Sequence, residues 1–193
     1  MFFNSGILKI VMDKIDKNIL TRAREGDLKS FEYILSFYEK AVYNYCLKIL
    51  RNSANAKDVT QETFIKVYIH RKLIDPEKNI KTWIFTIATN TTYDFLRSKK
   101  RKNEVSIDDN INEELETNTS SGAYYQKEGL VSDVEKALGE INPEYKKALL
   151  LFYQQGFKYN EIAEILAVPI NTVKTHISRG KEQLREQLKN YSV

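Results

Sequence analysis

The sequence predicts an all-α protein: two small helical domains joined by a flexible acidic linker. Three observations carry that reading. Apolar residues recur at intervals of three and four along most of the 193 residues, and no stretch alternates apolar and polar with period two. The three prolines, Pro76, Pro143 and Pro169, fall where helices would begin or break. Residues 103–127 interrupt the helical pattern with a run rich in Asn, Thr and Ser. Such a composition buries too little apolar surface to order itself. The domains so divided are residues 17–102 and 128–188.

Composition narrows the function classes. Hydrophobic residues make up 42% of the chain, enough for packed helical cores. No apolar run approaches the roughly 18 residues that span a bilayer, which argues against direct membrane insertion. The opening residues 1–12 are apolar in patches. They lack a basic start and a small-residue cleavage site, so they do not read as a signal peptide, and Met12 offers an alternative start. Cys46 is the only cysteine, so no intramolecular disulfide forms, which fits a reducing, cytoplasmic setting. Its neighbours Val42, Tyr43, Tyr45, Leu47 and Leu50 mark it as a small buried hydrophobe. The two histidines, His70 and His176, have no cysteine partners at zinc spacing, so neither a metal nor another cofactor is expected.

The net charge of +4 hides an asymmetry. Residues 1–102 carry 20 Lys and Arg against 11 Asp and Glu. Residues 103–126 carry six acids and no base, and residues 127–193 ten bases and nine acids. A basic first part favours a polyanionic partner.

Taken in order, the first helix runs near Ile19 to Arg24 and stops at Gly26-Asp27. A longer one places Phe31, Ile34, Leu35, Tyr38, Val42, Tyr45, Cys46 and Ile49 at helical intervals. The next helix, from Asn55 to Tyr68, has Val59, Thr63 and Val67 on its apolar side, joined by Phe64 and Tyr68. Asp58, Gln61, Glu62 and Ile65 lie largely elsewhere. That second face reads either as solvated surface or as a polar docking surface for another protein. His70 to Ile80, with Asp75-Pro76, reads as a loop. A helix follows from Lys81 to about Lys102, with Trp83, Ile84, Ile87, Ala88 and Phe95 as core candidates. Cations at a helix C-terminus complement the macrodipole. Five bases in the six residues 97–102 exceed what capping requires, which points to phosphate contacts.

Beyond the linker, Leu130, Val134, Ala137, Leu138 and Ile141 resume helical spacing. Asn142-Pro143 supplies a cap and first turn for a helix from Glu144 to Gln155, and Gly156 ends it. Ile162, Ala163, Ile165 and Leu166 then share one side of a short helix. A break at Ala167-Val168-Pro169 leads to a second helix with Val173, Ile177 and Leu184 inward. Lys174, Thr175, His176, Ser178, Arg179 and Lys181 occupy its other faces. A helix apolar on one side, basic and hydrogen-bonding on the other, fits the recognition element of a helix-turn-helix. An ordinary helical hairpin with a solvated basic face has the same spacing. The turn carries Ala167 where many such motifs have glycine.

Three stretches, in order, carry a family resemblance: Ala56-x-Asp58-Val59-Thr60-Gln61-Glu62-Thr63-Phe64, then Lys81-Thr82-Trp83-Ile84-x-x-Ile87-Ala88-x-Asn90, then the C-terminal helix-turn-helix. Together they resemble a bacterial sigma factor of the extracytoplasmic-function (ECF) class, a reduced sigma-70 type that keeps regions 2 and 4. The resemblance implies a non-enzymatic initiation subunit that binds core RNA polymerase and promoter DNA. Asp58, Gln61, Glu62 and Ile65 would dock on the β′ clamp helices, and the C-terminal domain would meet the β flap. Lys81, Thr82, Trp83, Asn90, Arg97, Lys100 and Arg101 would engage the minus-10 element. Lys174, Thr175, His176, Ser178, Arg179 and Lys181 would engage the minus-35 element. The resemblance also implies a candidate anti-sigma factor as a third partner. The rival reading is a stand-alone helix-turn-helix regulator of duplex DNA, which needs no docking face on Asp58 to Phe64.

Overall fold

A computed structural model describes residues 15–105 and 130–189. They form α1 (Lys17–Glu25), α2 (Leu28–Leu50), α3 (Ser53–Ile69), α4 (Ile80–Val105), α5 (Leu130–Glu140), α6 (Pro143–Leu149), α7 (Tyr159–Leu166) and α8 (Ile170–Lys189). No strand occurs among the described residues. The expectations for residues 1–14 and for most of the linker lie outside them.

The helix boundaries follow from local hydrogen bonds that the sequence encodes. Asp16 accepts from Asn18 N–H (2.7 Å) to open α1, and Gly26 ends it in the left-handed region at φ 102°. Asp27 then caps α2 through Ser30 N–H at 3.0 Å. The bonds from Ser30 hold the Asp27 carboxyl below its usual range. Asn52 caps α3 through Asn55 N–H (2.9 Å), and Asn142 with Pro143 opens α6 as expected. The stretch between α3 and α4 holds a short 3-10 turn, Arg71–Leu73. It ends where Asn79 accepts from Lys81 N–H (3.1 Å) and so starts α4.

One expected helix differs. The helix from Glu144 to Gln155 divides into α6 and a π-helical turn, Leu150–Gln154, with Gln155 N–H bonded to Leu150 O at 3.1 Å. A π turn inserts extra backbone per revolution, so the residues after it rotate away from the α-helical register. Here Gln154 and Gln155 swing onto α2, where their side-chain amides donate to Asn44 O (3.5 Å) and Ala41 O (3.4 Å).

In the first domain α2, α3 and α4 pack around Ile34, Val42, Tyr45, Val59, Val67, Ile84 and Phe85, all nearly inaccessible to solvent. Cys46 is fully buried here, as its neighbours predicted, and burial pushes its thiol pKa up. The core admits three of its threonines at little cost because their hydroxyls are satisfied locally. Thr60, Thr63 and Thr92 donate to the carbonyls four residues back, each at 2.7 Å. In the second domain Leu151, Ile162, Val173 and Ile177 form the core between α6, α7 and α8.

The two cores join into one hydrophobic cluster. Phe157, at the start of the helix-turn-helix, meets Phe85 edge to face with centroids 5.2 Å apart. Polar bonds also cross between the domains. Asn79 donates to Glu161 (2.8 Å), Tyr93 donates to Pro143 O (3.2 Å), and Lys48 pairs with Glu135. Lys147 lies 3.8 Å over the Tyr93 ring.

Candidate docking face and nucleic-acid interface

The α3 helix turns Val59, Thr60, Thr63, Phe64 and Val67 into the core. Asp58, Gln61, Glu62 and Ile65 are thereby left together on the solvent side. Glu62 pairs with Lys66 one turn on, at 2.7 Å. Ile65 is 58% exposed, and the strip continues through Ile69 (61%) to Leu73 (68%) in the 3-10 turn. Sequence reasoning missed Ile69 and Leu73. The signal was their spacing of four and eight from Ile65, which periodicity alone cannot distinguish from a core stripe. Three large aliphatic side chains beside an acidic patch make a surface suited to another protein.

The α4 helix divides the second set of residues. Trp83, Asn90, Arg97 and Arg101 follow at intervals of seven, seven and four, so they share one face about 27 Å long. Trp83 is half-buried, while Asn90, Arg97, Lys100 and Arg101 are exposed. Asp94 on the same face sits 3.5 Å from Arg97. Lys81 and Thr82 point elsewhere. Thr82 is 3% exposed, and its hydroxyl is buried without a partner. Lys81 turns toward the second domain, donates to Gln155 O and lies 4.5 Å over the Phe157 ring. Burial lowers its pKa, and the nearby Glu161 carboxylate partly offsets that.

In the second domain, α7 and α8 meet across a tight turn. Ala167 stands at φ 52°, ψ 44°, the left-handed conformation usually given to glycine. The N–H groups of Ala167 and Val168 bond back to Glu164 O (3.2 Å) and Ala163 O (3.1 Å). The chain reverses, and Pro169 O accepts the first helical bonds of α8, from Thr172 (2.9 Å) and Val173 (3.2 Å). The expected geometry of a helix-turn-helix is present with alanine in the critical position.

Val173 and Ile177 are buried as expected, and Gly180 completes their stripe. A Cβ at Gly180 would meet Leu149 at 2.9 Å and Tyr145 at 3.1 Å, so its absence sets how closely α6 and α8 approach. Lys174, Thr175, Ser178, Arg179 and Lys181 are exposed, whereas His176 is half-buried. The His176 ring lies 5.3 Å from that of Tyr145 with its Nδ1 buried and unpartnered. Asn171 is a further exposed residue at the start of α8. It lies on the Lys174, Ser178 and Lys181 face by spacings of three, four and three. No group of His, Cys, Asp and Glu suited to a metal ion occurs among the described residues.

Comparison with known proteins agrees with both halves. Residues 36–102 match the Sigma-70 region 2 family model, and residues 132–184 match that of Sigma-70, region 4. Over 186 residues the chain is 30% identical to the ECF RNA polymerase sigma factor SigW of Bacillus subtilis, covering 93% of this chain and 100% of that protein. The chain belongs to the ECF sigma factors of RNA polymerase. Region 2 of this ECF sigma factor contains most of α2 together with α3 and α4, and region 4 contains α5 to α8 apart from their ends. A solved relative is the sigma factor RpoE of Bartonella quintana in complex with the anti-sigma factor NepR. It is 26% identical with a TM-score of 0.70, over 84% of this chain and 98% of that one. The same fold occurs in CnrH, solved with the cytosolic domain of CnrY, at 17% identity and a TM-score of 0.68 over 91% of this chain and 97% of that one. Among the described residues no helix is long and apolar enough to cross a membrane.

Proposed function

We propose that this ECF sigma factor binds core RNA polymerase through α3 and selects promoters through α4 and α8, with no covalent step of its own. Asp58, Gln61, Glu62 and Ile65 form the contact with the β′ clamp helices, and the second domain meets the β flap. Trp83, Asn90, Arg97 and Arg101 track the minus-10 DNA along one face of α4, with Lys100 beside that face on phosphate. An extruded base there costs a few kcal/mol of unstacking, which pocket contacts must offset. Lys174, Thr175, Ser178 and Arg179, joined by Asn171, face the minus-35 duplex, with Lys181 on phosphate. Each bidentate base contact contributes about 1–3 kcal/mol of discrimination. Such a protein works beside polymerase in the cytoplasm. A partner like the anti-sigma factor bound to RpoE would hold it inactive.

The observation that carries the reading is the pairing, in one chain, of an exposed α3 strip with an exposed recognition helix. A stand-alone helix-turn-helix regulator accounts for α7 and α8 and leaves α3 without a role. The test is run-off transcription from a promoter library with core polymerase, with and without the protein. Sequence-specific starts that depend on the protein are expected. Tight duplex binding by the protein alone, with no new starts, would overturn the reading.

A further inference from the structure

Tyr145, on α6, belongs to none of the residue sets assigned above, yet it touches two members of the recognition helix. The close approach at Gly180 brings the Tyr145 Cβ against α8. The ring packs beside His176 at 5.3 Å, and the hydroxyl lies 3.4 Å from Nη1 of Arg179, which donates to it. His176 and Arg179 are three residues apart, so they flank the tyrosine on the same side of α8.

This contact decides what His176 presents. Its Nδ1 is buried without a hydrogen-bond partner. A neutral imidazole carries its proton on one nitrogen, and a buried, orphaned N–H is the rarer and costlier arrangement. With its proton on Nε2, the other ring nitrogen, His176 presents a donor. The Arg179 guanidinium offers only donors as well. Acceptors on the major-groove edge that suit such a pair are purine N7 and guanine O6.

We propose that Tyr145 is a specificity-determining positioning residue, which holds Arg179 by its hydroxyl and His176 by its ring so that both aim donors at a guanine-containing step of the upstream element. This rests on the reading that α8 lies in the minus-35 duplex. Tyr145 touches no base itself. It removes rotamer freedom from Arg179 before DNA arrives, which lowers the ordering cost of the base contact that Arg179 makes.

The experiment is selection from a library randomised across the upstream element. It uses holoenzyme assembled with wild-type protein, Tyr145→Phe, Arg179→Ala and the double variant. Loss of the hydroxyl is expected to reduce guanine preference about three- to tenfold at the positions that Arg179→Ala also relaxes. The double variant should relax them no further than Arg179→Ala alone, because the two residues act as one unit. Downstream-element preference and the thermal midpoint should stay at wild-type values. Unchanged guanine preference in Tyr145→Phe would overturn the inference alone. So would an even loss at all positions with a lowered midpoint, since that marks a purely structural tyrosine. If the wild-type protein enriches no upstream sequence, the placement of α8 fails too, and both readings fall.

Discussion

Ala167 holds a backbone conformation that costs an L-residue with a Cβ about 1–2 kcal/mol, and it does so at the turn on which the orientation of α8 depends. The two N–H bonds that close α7 sustain it. Ala167→Gly should relieve the strain and give back part of the gain as unfolded-chain entropy. A net stabilisation of about 0.5–1 kcal/mol is expected, read as a higher urea midpoint. A lowered midpoint would mean that the alanine methyl contributes packing that outweighs its strain. Lys146 is the other costly residue. It is 7% exposed, and burial first, then the charges of Arg51 and Lys48, bring its pKa from 10.5 down to about 8. The unfolded chain keeps the proton up to the higher value, so stability rises with pH between about 8 and 10.5 and the penalty is at its full size below that window. Lys146→Met should therefore stabilise the protein at pH 7 by up to about 3 kcal/mol, with the gain shrinking toward pH 10. Guanidinium unfolding at pH 7 and pH 9.5 checks this. An equal gain at both values would exclude the charge as its cause.

At the scale of the helix, α3 shows how two stripes of the same period acquire opposite roles. Val59, Thr63 and Val67 repeat every four residues and are buried, whereas Ile65 and Ile69 repeat every four residues and face solvent. The exposed polar half of the α3 surface was legible because Asp58, Gln61 and Glu62 fall off the apolar stripe. The apolar half was not, because spacing says which residues share a side and nothing about which side the core takes. If polymerase docks on α3, Ile69→Glu should weaken its binding at least about tenfold with the thermal midpoint near that of the wild type, since an exposed substitution seldom moves stability by more than about 0.5 kcal/mol. Anisotropy of dye-labelled protein titrated with core polymerase measures it. Unchanged affinity would confine the interface to the residues before Ile69. The α8 stripe was read more completely. Val173, Ile177 and Leu184 were in the sequence pattern, and the gap between them is Gly180, required by how near α6 comes.

Across the whole molecule, the contact between the domains decides which candidate residues are accessible. Lys81, expected at the minus-10 DNA, donates instead to Gln155 O across that contact. One of its three ammonium donors goes to that carbonyl and its nitrogen lies half-buried over the Phe157 ring, which disfavours a DNA phosphate at Lys81 while the second domain sits here. Phe157 lies at the centre of the contact, against Phe85 and beneath Lys81. Phe157→Ala removes a buried ring, a loss of about 3–5 kcal/mol by core-truncation precedent. It is expected to part the domains at a urea concentration below that which melts their helices. Energy transfer between dyes on α2 and α8, followed beside far-UV circular dichroism, separates the two events. Coincident transitions would show that the domains unfold as a single unit.

The sequence by itself determined the all-α class, the main helices, the helix-turn-helix and the exposed polar face of α3. Helical periodicity, Asn and Asp caps, Pro143 and Pro169 are local signals that neighbours a few residues apart can satisfy. Tertiary structure decided the rest. It bent the end of α6 into a π turn and left Ile69 and Leu73 in solvent. It also turned Lys81 and Thr82 away from the α4 face that Trp83, Asn90 and Arg97 share, and set Tyr145 beside His176 and Arg179. Each of these depends on which helix lies opposite, through contacts between residues tens of positions apart, and no local spacing records that choice.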